Sequence, residues 1–216
     1  MDGNNRWSKK NSKEKKFSYQ KGANNLLKLS KHLFKNTDVK FVSAFALSSH
    51  NLKRSHSIIY LIKDILREFV QKELNNGKYE YGINFLGNLN FLDDSLLSDI
   101  NLLKKKTSSF KKKLNIFINY TGQDDLVMCI KNILKNNNKN LKVSKKIISD
   151  NLYTCGLPDP DILIRTGGFN RLSDFMLYQL SFTEFFFIKK LWPDFNIYHL
   201  NKIINQYLNI DRKFGL

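Results

Sequence analysis

Hydrophobic positions along the 216-residue chain follow two different spacings. Apolar residues three and four positions apart predict helices over 22–34, 58–74, 95–105, 125–134, 144–153 and 197–208. Short apolar runs predict strands over 39–47, 81–86, 114–120 and 161–165. Because helices and strands alternate, we expect a single α/β domain over 1–216, with a central, mostly parallel sheet flanked by helices.

Residues suited to ligand binding cluster where the fourth predicted strand ends, at Arg165. A glycine pair at 167–168 follows, and an apolar run of helical length resumes at Asp174. Functional groups lie at the carboxyl ends of strands in open sheets, so Arg165 should lie near Arg171 and Ser173 at a helix start. Guanidiniums and a helix amino terminus both suit phosphate. The pattern predicts a diphosphate site, although turn chemistry alone also explains the glycines and Ser173.

The formal charge of +17 first suggests a nucleic-acid partner. The lysines, however, are scattered and accompanied by many Asn, Ile, Phe and Tyr residues, as an AT-rich coding sequence would produce, so no nucleic acid is predicted. A basic surface also favours anionic lipid heads. No apolar window reaches the length of a spanning helix, and Cys129 and Cys155 lack metal-site spacing. We expect a cytoplasmic protein with free thiols, peripheral at the membrane.

Two stretches resemble the signature of the cis-prenyltransferases, the undecaprenyl diphosphate synthase family. One is the run RTGGFNRLSDF from Arg165, followed by Glu184 and LWPDF, and the other is the opening DGNNRW. The resemblance covers nearly the whole chain. It implies a homodimeric enzyme with a hydrophobic tunnel, which adds isopentenyl diphosphate to an allylic diphosphate, typically farnesyl diphosphate. The expected product is a long-chain carrier lipid such as undecaprenyl diphosphate, released through peripheral membrane contact.

The resemblance also implies roles for individual residues. Asp2 would hold the Mg²⁺ cofactor and act in catalysis together with Asn51, and Glu184 would be a second metal ligand. The residues expected to bind substrate are Gly3, Asn4, Arg6, Trp7, Lys15, Tyr19, Ser48, Arg54, Arg165, Arg171 and Ser173.

Departures from the family pattern leave a second hypothesis open. The family usually has a different residue at the positions of Asn5, Lys15, Tyr19, His50, Leu52, Phe169 and Asn170. A degenerate, non-catalytic homologue acting as a scaffold subunit would tolerate such changes. The presence of the acid at position 2 and of both arginines of the later motif favours the enzyme. A trans-prenyltransferase is excluded, because neither Asp-Asp pair is followed by the third aspartate of a DDxxD motif.

The family also has a hydrophobic strand before its opening motif. A catalytic carboxylate needs rigid support, so Asp2 should follow directly after such a strand. We therefore expect the coding region to continue upstream with an apolar segment of about five or six residues.

Overall fold

The computed structural model describes residues 1–52, 56–135 and 142–212. It confirms the α/β class predicted from the spacing of apolar residues. The strands are β1 (Phe41–Ser48), β2 (Gly82–Leu86), β3 (Lys113–Tyr120), β4 (Ile162–Arg165) and β5 (Glu184–Phe187). The helices are α1 (Asn4–Lys10), α2 (Lys15–Asn36), α3 (Ser49–Leu52), α4 (His56–Asn76), α5 (Asp94–Lys106), α6 (Gly122–Lys135), α7 (Lys145–Asn151), a 3₁₀ turn (Trp192–Asp194) and α8 (Ile197–Leu208).

All strand pairs in the described part of the chain are parallel. β3 lies between β1 and β2, and β4 pairs with β5 in a separate two-stranded sheet. Most residues of β3 are buried, which is expected of a central strand covered by helices on both faces. The carboxyl ends of paired parallel strands share one edge, and the end of β4 carries Arg165.

The core forms where the apolar stripes of the helices meet the sheet. Leu29 and Leu33 of α2 and Val70 of α4 are buried, as are Leu96 and Ile100 of α5. The spacing of four residues within the pairs of α2 and α5 places each pair on one face of its helix. None of the described helices is both long and apolar enough to cross a bilayer.

The helix predicted to begin at Asp174 is wrong. The segment after Ser173 is a series of turns, and Ser173, Asp174 and Met176 have φ values of 52°, 63° and 49°, which an α-helix cannot contain. The carbonyl of Asp174 accepts the N–H of Gly122 at 2.7 Å, which holds the turns against the start of α6. Met176 and Leu180 still reach the core, so tertiary contacts satisfy the apolar pattern without a helix. The prediction also missed β5.

The opening of the chain forms α1 directly after Gly3. Gly3 has φ 109°, and a Cβ there would lie 2.8 Å from Cδ2 of Leu191. Its carbonyl accepts the N–H of Trp7 at 2.8 Å, so it begins the helix while turning sharply against Leu191. A side chain at this position would displace the first helical turn.

Candidate functional site

Arg165 connects the segments that form the site. Its Nη2 donates to Oδ2 of Asp2 at 3.1 Å, and its Nη1 donates to Oγ of Ser173 at 2.8 Å and to the carbonyl oxygen of Arg171. The side chain is only 12% exposed. One guanidinium therefore fixes the chain's opening beside the loop that follows β4, across 163 positions of sequence.

The backbone of Asp2 is held from two sides. Its N–H donates to Oγ1 of Thr166 at 3.0 Å, and its carbonyl accepts from that hydroxyl and from the N–H of Trp192, both at 3.0 Å. Its carboxylate pairs with Arg165 and, at 3.4 Å, with Nη2 of Arg6. The side chain remains 36% exposed, so a ligand can reach the carboxylate.

Gly167 leaves room for this arrangement. Its φ is 90°, and a Cβ there would lie 2.5 Å from Nη2 of Arg6 and 3.2 Å from the carbonyl oxygen of Asp2. Its N–H donates to the carbonyl of Lys190 at 2.8 Å, so the turn cannot easily move aside. Only glycine allows Arg6 and Asp2 to come this close to the turn.

The ring of Phe169 lies among three arginines. The Cζ atoms of Arg6, Arg165 and Arg171 are 4.8, 5.7 and 4.4 Å from its centroid. Sequence reasoning treated Phe169 only as a departure from the family pattern. The signal that could have found it is an aromatic residue between two arginines in a glycine turn, since arginine stacks on aromatic faces.

The arrangement has the chemistry of an anion site. Three guanidiniums converge around Phe169, and one carboxylate, that of Asp2, offsets part of their charge. The structure thus brings together Arg165, Arg171 and Ser173, as the sequence predicted. The expected helix amino terminus is absent from this described segment, so the positive charge comes from the arginines.

An apolar cavity of about 100 Å³ opens beside the cationic site. Asn4 and Tyr19 line it near Asp2, and the cavity continues between α2, α4 and the sheet. Oδ1 of Asn4 is buried without a hydrogen-bond partner in the described structure. Burial, and then the charge of Asp2, raise the pKa of Tyr19, so its phenol stays protonated at neutral pH. Since a cavity of about 150 Å³ can hold benzene, this one has room for roughly one isoprene unit.

Other predicted substrate residues lie around the edge of the site. Lys15 is exposed at the first turn of α2. Ser48 ends β1, and its hydroxyl accepts the N–H of Asn51 at 3.2 Å, which shapes the short helix α3. Arg54 lies outside the described residues. Their roles stay predictions.

Trp7 has a clear structural role. It is 6% exposed, and its indole N–H donates to Oδ1 of Asp194 at 2.7 Å. The ammonium of Lys21 lies 4.2 Å from the ring centroid. These contacts hold α1 against α2 and the 3₁₀ turn, and the substrate contact predicted for Trp7 stays a prediction.

The two predicted metal ligands occupy different ends of the β4–β5 pair. Glu184 is in register with Ile162, three residues before Arg165, or about 10 Å along the strand. Among the described residues, no cluster of three or more His, Cys, Asp or Glu side chains could hold a metal. Asp2 alone, paired with two arginines, would attract a bare cation weakly. It would suit Mg²⁺ bound together with a diphosphate, because phosphate oxygens and water would then supply the other ligands. Glu184 stays a prediction.

Known proteins resemble the whole chain. A family model described as "Putative undecaprenyl diphosphate synthase" matches residues 1–215. The isoprenyl transferase of Clostridium acetobutylicum is 34% identical, over 100% of this chain and 87% of that protein. Dehydrodolichyl diphosphate synthase 4 of Arabidopsis thaliana is 36% identical, over 100% of this chain and 77% of that protein. A similar solved structure is the crystal structure of lavandulyl diphosphate synthase from Lavandula x intermedia in complex with dimethylallyl diphosphate. It matches with a TM-score of 0.92 and 26% identity, over 100% of this chain and 95% of that chain.

Proposed function

The chain belongs to the undecaprenyl diphosphate synthase family of prenyltransferases, and we propose that it extends farnesyl diphosphate with isopentenyl diphosphate into a long-chain polyprenyl diphosphate such as undecaprenyl diphosphate. The observation that carries this proposal is a cationic site beside an apolar cavity. Asp2 belongs to the cationic site, and Asn4, two residues later, lines the apolar cavity. A substrate with a diphosphate head and a hydrocarbon tail needs both environments at this distance.

Each residue of the site would have a separate role in binding the diphosphate and stabilising its departure. Arg171 and Ser173 would donate to diphosphate oxygens, while Arg165 holds both in place. Fixed positive charge of this kind stabilises the negative charge that develops on a leaving diphosphate. Asp2 would hold Mg²⁺, which when bound acts as a Lewis acid on that diphosphate. The apolar cavity walls would exclude water from the reacting allylic carbon.

The size of the cavity bears on the primer. A volume of about 100 Å³ takes roughly one isoprene unit, so most of a farnesyl tail would extend beyond the cavity in this structure. The relatives named above make prenyl products of different kinds. Dimethylallyl, geranyl and farnesyl diphosphates should therefore be compared as primers, and product length read by reversed-phase chromatography.

Catalysis should depend on the carboxylate of Asp2. With Mg²⁺, farnesyl diphosphate and labelled isopentenyl diphosphate, the wild-type protein should form butanol-extractable label. Asp2→Asn keeps the size of the side chain but removes its charge, and turnover should fall by about 10²- to 10³-fold. Asp38→Asn, which changes an exposed aspartate two residues after α2, serves as the control and should match wild type.

Two results would contradict the proposal. One is equal turnover by Asp2→Asn and wild type, which would show that the carboxylate of Asp2 does not hold the metal. The other is the absence of product from wild type with every primer, which would favour the non-catalytic scaffold.

The proposal includes a homodimer, supported by an exposed apolar face on β5. Phe185 and Phe187 are 43% and 37% exposed, with ring centroids 6.2 Å apart. Apolar patches of this kind are typical of protein interfaces. Phe185→Asp should convert the dimer to monomer in sedimentation velocity, because it would bury a charge in the interface. Leu102→Asp, on α5 beside β2, is the control. A dimer that survives Phe185→Asp would place the interface elsewhere.

The proposal also includes cytoplasmic location with peripheral membrane contact. A net charge of +17 supports attraction to anionic lipid heads, where each well-placed Lys or Arg contributes about 1 kcal/mol. Such contact would give a long-chain product a route into the bilayer. Binding of the protein to vesicles should accordingly weaken as salt is raised.

A further inference from the structure

Phe169 is the shared neighbour of the three arginines of the site, and we propose that its ring positions their guanidiniums for diphosphate binding. This inference rests on the proposed function, since it concerns the same site. The Cζ atoms of Arg6, Arg165 and Arg171 lie 4.8, 5.7 and 4.4 Å from the ring centroid. All three distances are within the range of about 6 Å in which a ring attracts a cation.

The three like charges need an attraction that holds them together. The carboxylate of Asp2 supplies part of it, through contacts of 3.4 Å with Arg6 and 3.1 Å with Arg165. Within the described ranges, Arg171 makes no carboxylate contact, and its guanidinium is the one closest to the ring. The ring is therefore the group that keeps the guanidinium of Arg171 beside the other two, whereas Arg165 holds only the backbone carbonyl of Arg171.

Two backbone hydrogen bonds that involve no arginine hold the turn that carries the ring. The N–H groups of Gly167 and Gly168 donate to the carbonyls of Lys190 and Ile188, at 2.8 and 3.0 Å. These bonds tie the turn that carries Phe169 to the segment after β5. A ring on this turn can hold the exposed side chains of Arg6 and Arg171 beside the hydrogen-bonded Arg165 before the ligand arrives, so less conformational freedom is lost on binding.

The ring also has little part in the core, since Phe169 is 39% exposed. Changing its electronic character should therefore leave folding intact. This separates a positioning role from a structural one, because fluorine atoms withdraw electron density from the face of a ring and barely alter its shape. The attraction of the ring for a cation therefore decreases with each added fluorine.

The experiment is a series of full-length proteins with mono-, di- and trifluorophenylalanine at position 169. Binding of inorganic pyrophosphate is measured by isothermal titration calorimetry. We expect Kd to rise with each fluorine and to reach about tenfold, with an unchanged melting temperature. Phe169→Leu should lose as much affinity as the trifluoro variant, and Phe169→Tyr should stay within about twofold of wild type.

The same fluorinated residues at Phe17 serve as the matched control. Phe17 is 50% exposed, and its ring neighbour is Trp7 rather than an arginine, so Kd should not change there. A flat series at position 169, or no pyrophosphate binding by wild type, would overturn the inference. Prenyl transfer by wild type is assayed in parallel. Turnover with a flat series refutes the inference alone, whereas a graded Kd without turnover refutes the proposed function alone.

Discussion

Replacing Arg165 by lysine should lower kcat/KM for isopentenyl diphosphate by about 10³-fold. The guanidinium donates at once to Asp2, to Ser173 and to the carbonyl of Arg171. Lysine keeps the positive charge, but its single nitrogen cannot reproduce two separated donor groups. The loop after β4 and the opening of the chain would then separate. Steady-state kinetics with both substrates would measure the loss.

Two further arginines make this test specific. Arg212→Lys is the matched control, because Arg212 also bridges several groups, donating to Asp161 and to the hydroxyl of Tyr207, both at 2.8 Å. Asp161 immediately precedes β4, so this bridge lies at the opposite end of the strand from the site. Arg171→Lys should act mainly through a raised KM, since its guanidinium is exposed for ligand binding. Equal activity of the Arg165 and Arg212 variants would refute the organising role of Arg165.

Replacing Gly167 by alanine should lower turnover by about 10²-fold, through displaced groups rather than through unfolding. The added methyl group would lie 2.5 Å from Nη2 of Arg6 and 3.2 Å from the carbonyl oxygen of Asp2, so both must shift. Alanine at φ 90° adds backbone strain of roughly 1–2 kcal/mol. Kinetics and thermal denaturation of the same preparation would give both quantities.

Gly156→Ala separates the backbone strain from the displacement of Arg6 and Asp2. Gly156 has φ 77°, and no atom lies within 4 Å of the position its Cβ would take. It should lose similar stability and keep wild-type turnover, because it carries the strain without the collision. If the two variants lost the same activity, the close approach at Gly167 would have no catalytic importance.

Sequence by itself determined the elements whose residues contact near neighbours in the chain. The closing helix was predicted over 197–208 and forms at Ile197–Leu208. Its apolar residues, Leu200 and Ile203 among them, lie three or four positions apart, and Asn196 caps its first turn. A stripe of this kind favours one buried face in almost any context. The alternation of helical and strand spacings likewise sufficed for the α/β class, and Arg165 meets Arg171 and Ser173 as their spacing predicted.

Tertiary structure alone decided how the groups of the site meet. Asp2 and Arg165 are 163 positions apart, and no local pattern indicates that one guanidinium would bridge them. The apolar run after Ser173 has helical spacing, yet a hydrogen bond from Gly122 to the carbonyl of Asp174 favours turns there. Phe169 became a site residue because arginines from α1, β4 and the following loop converge on its ring. Periodicity reports which faces of an element are apolar, whereas these contacts depend on where distant segments pack against one another.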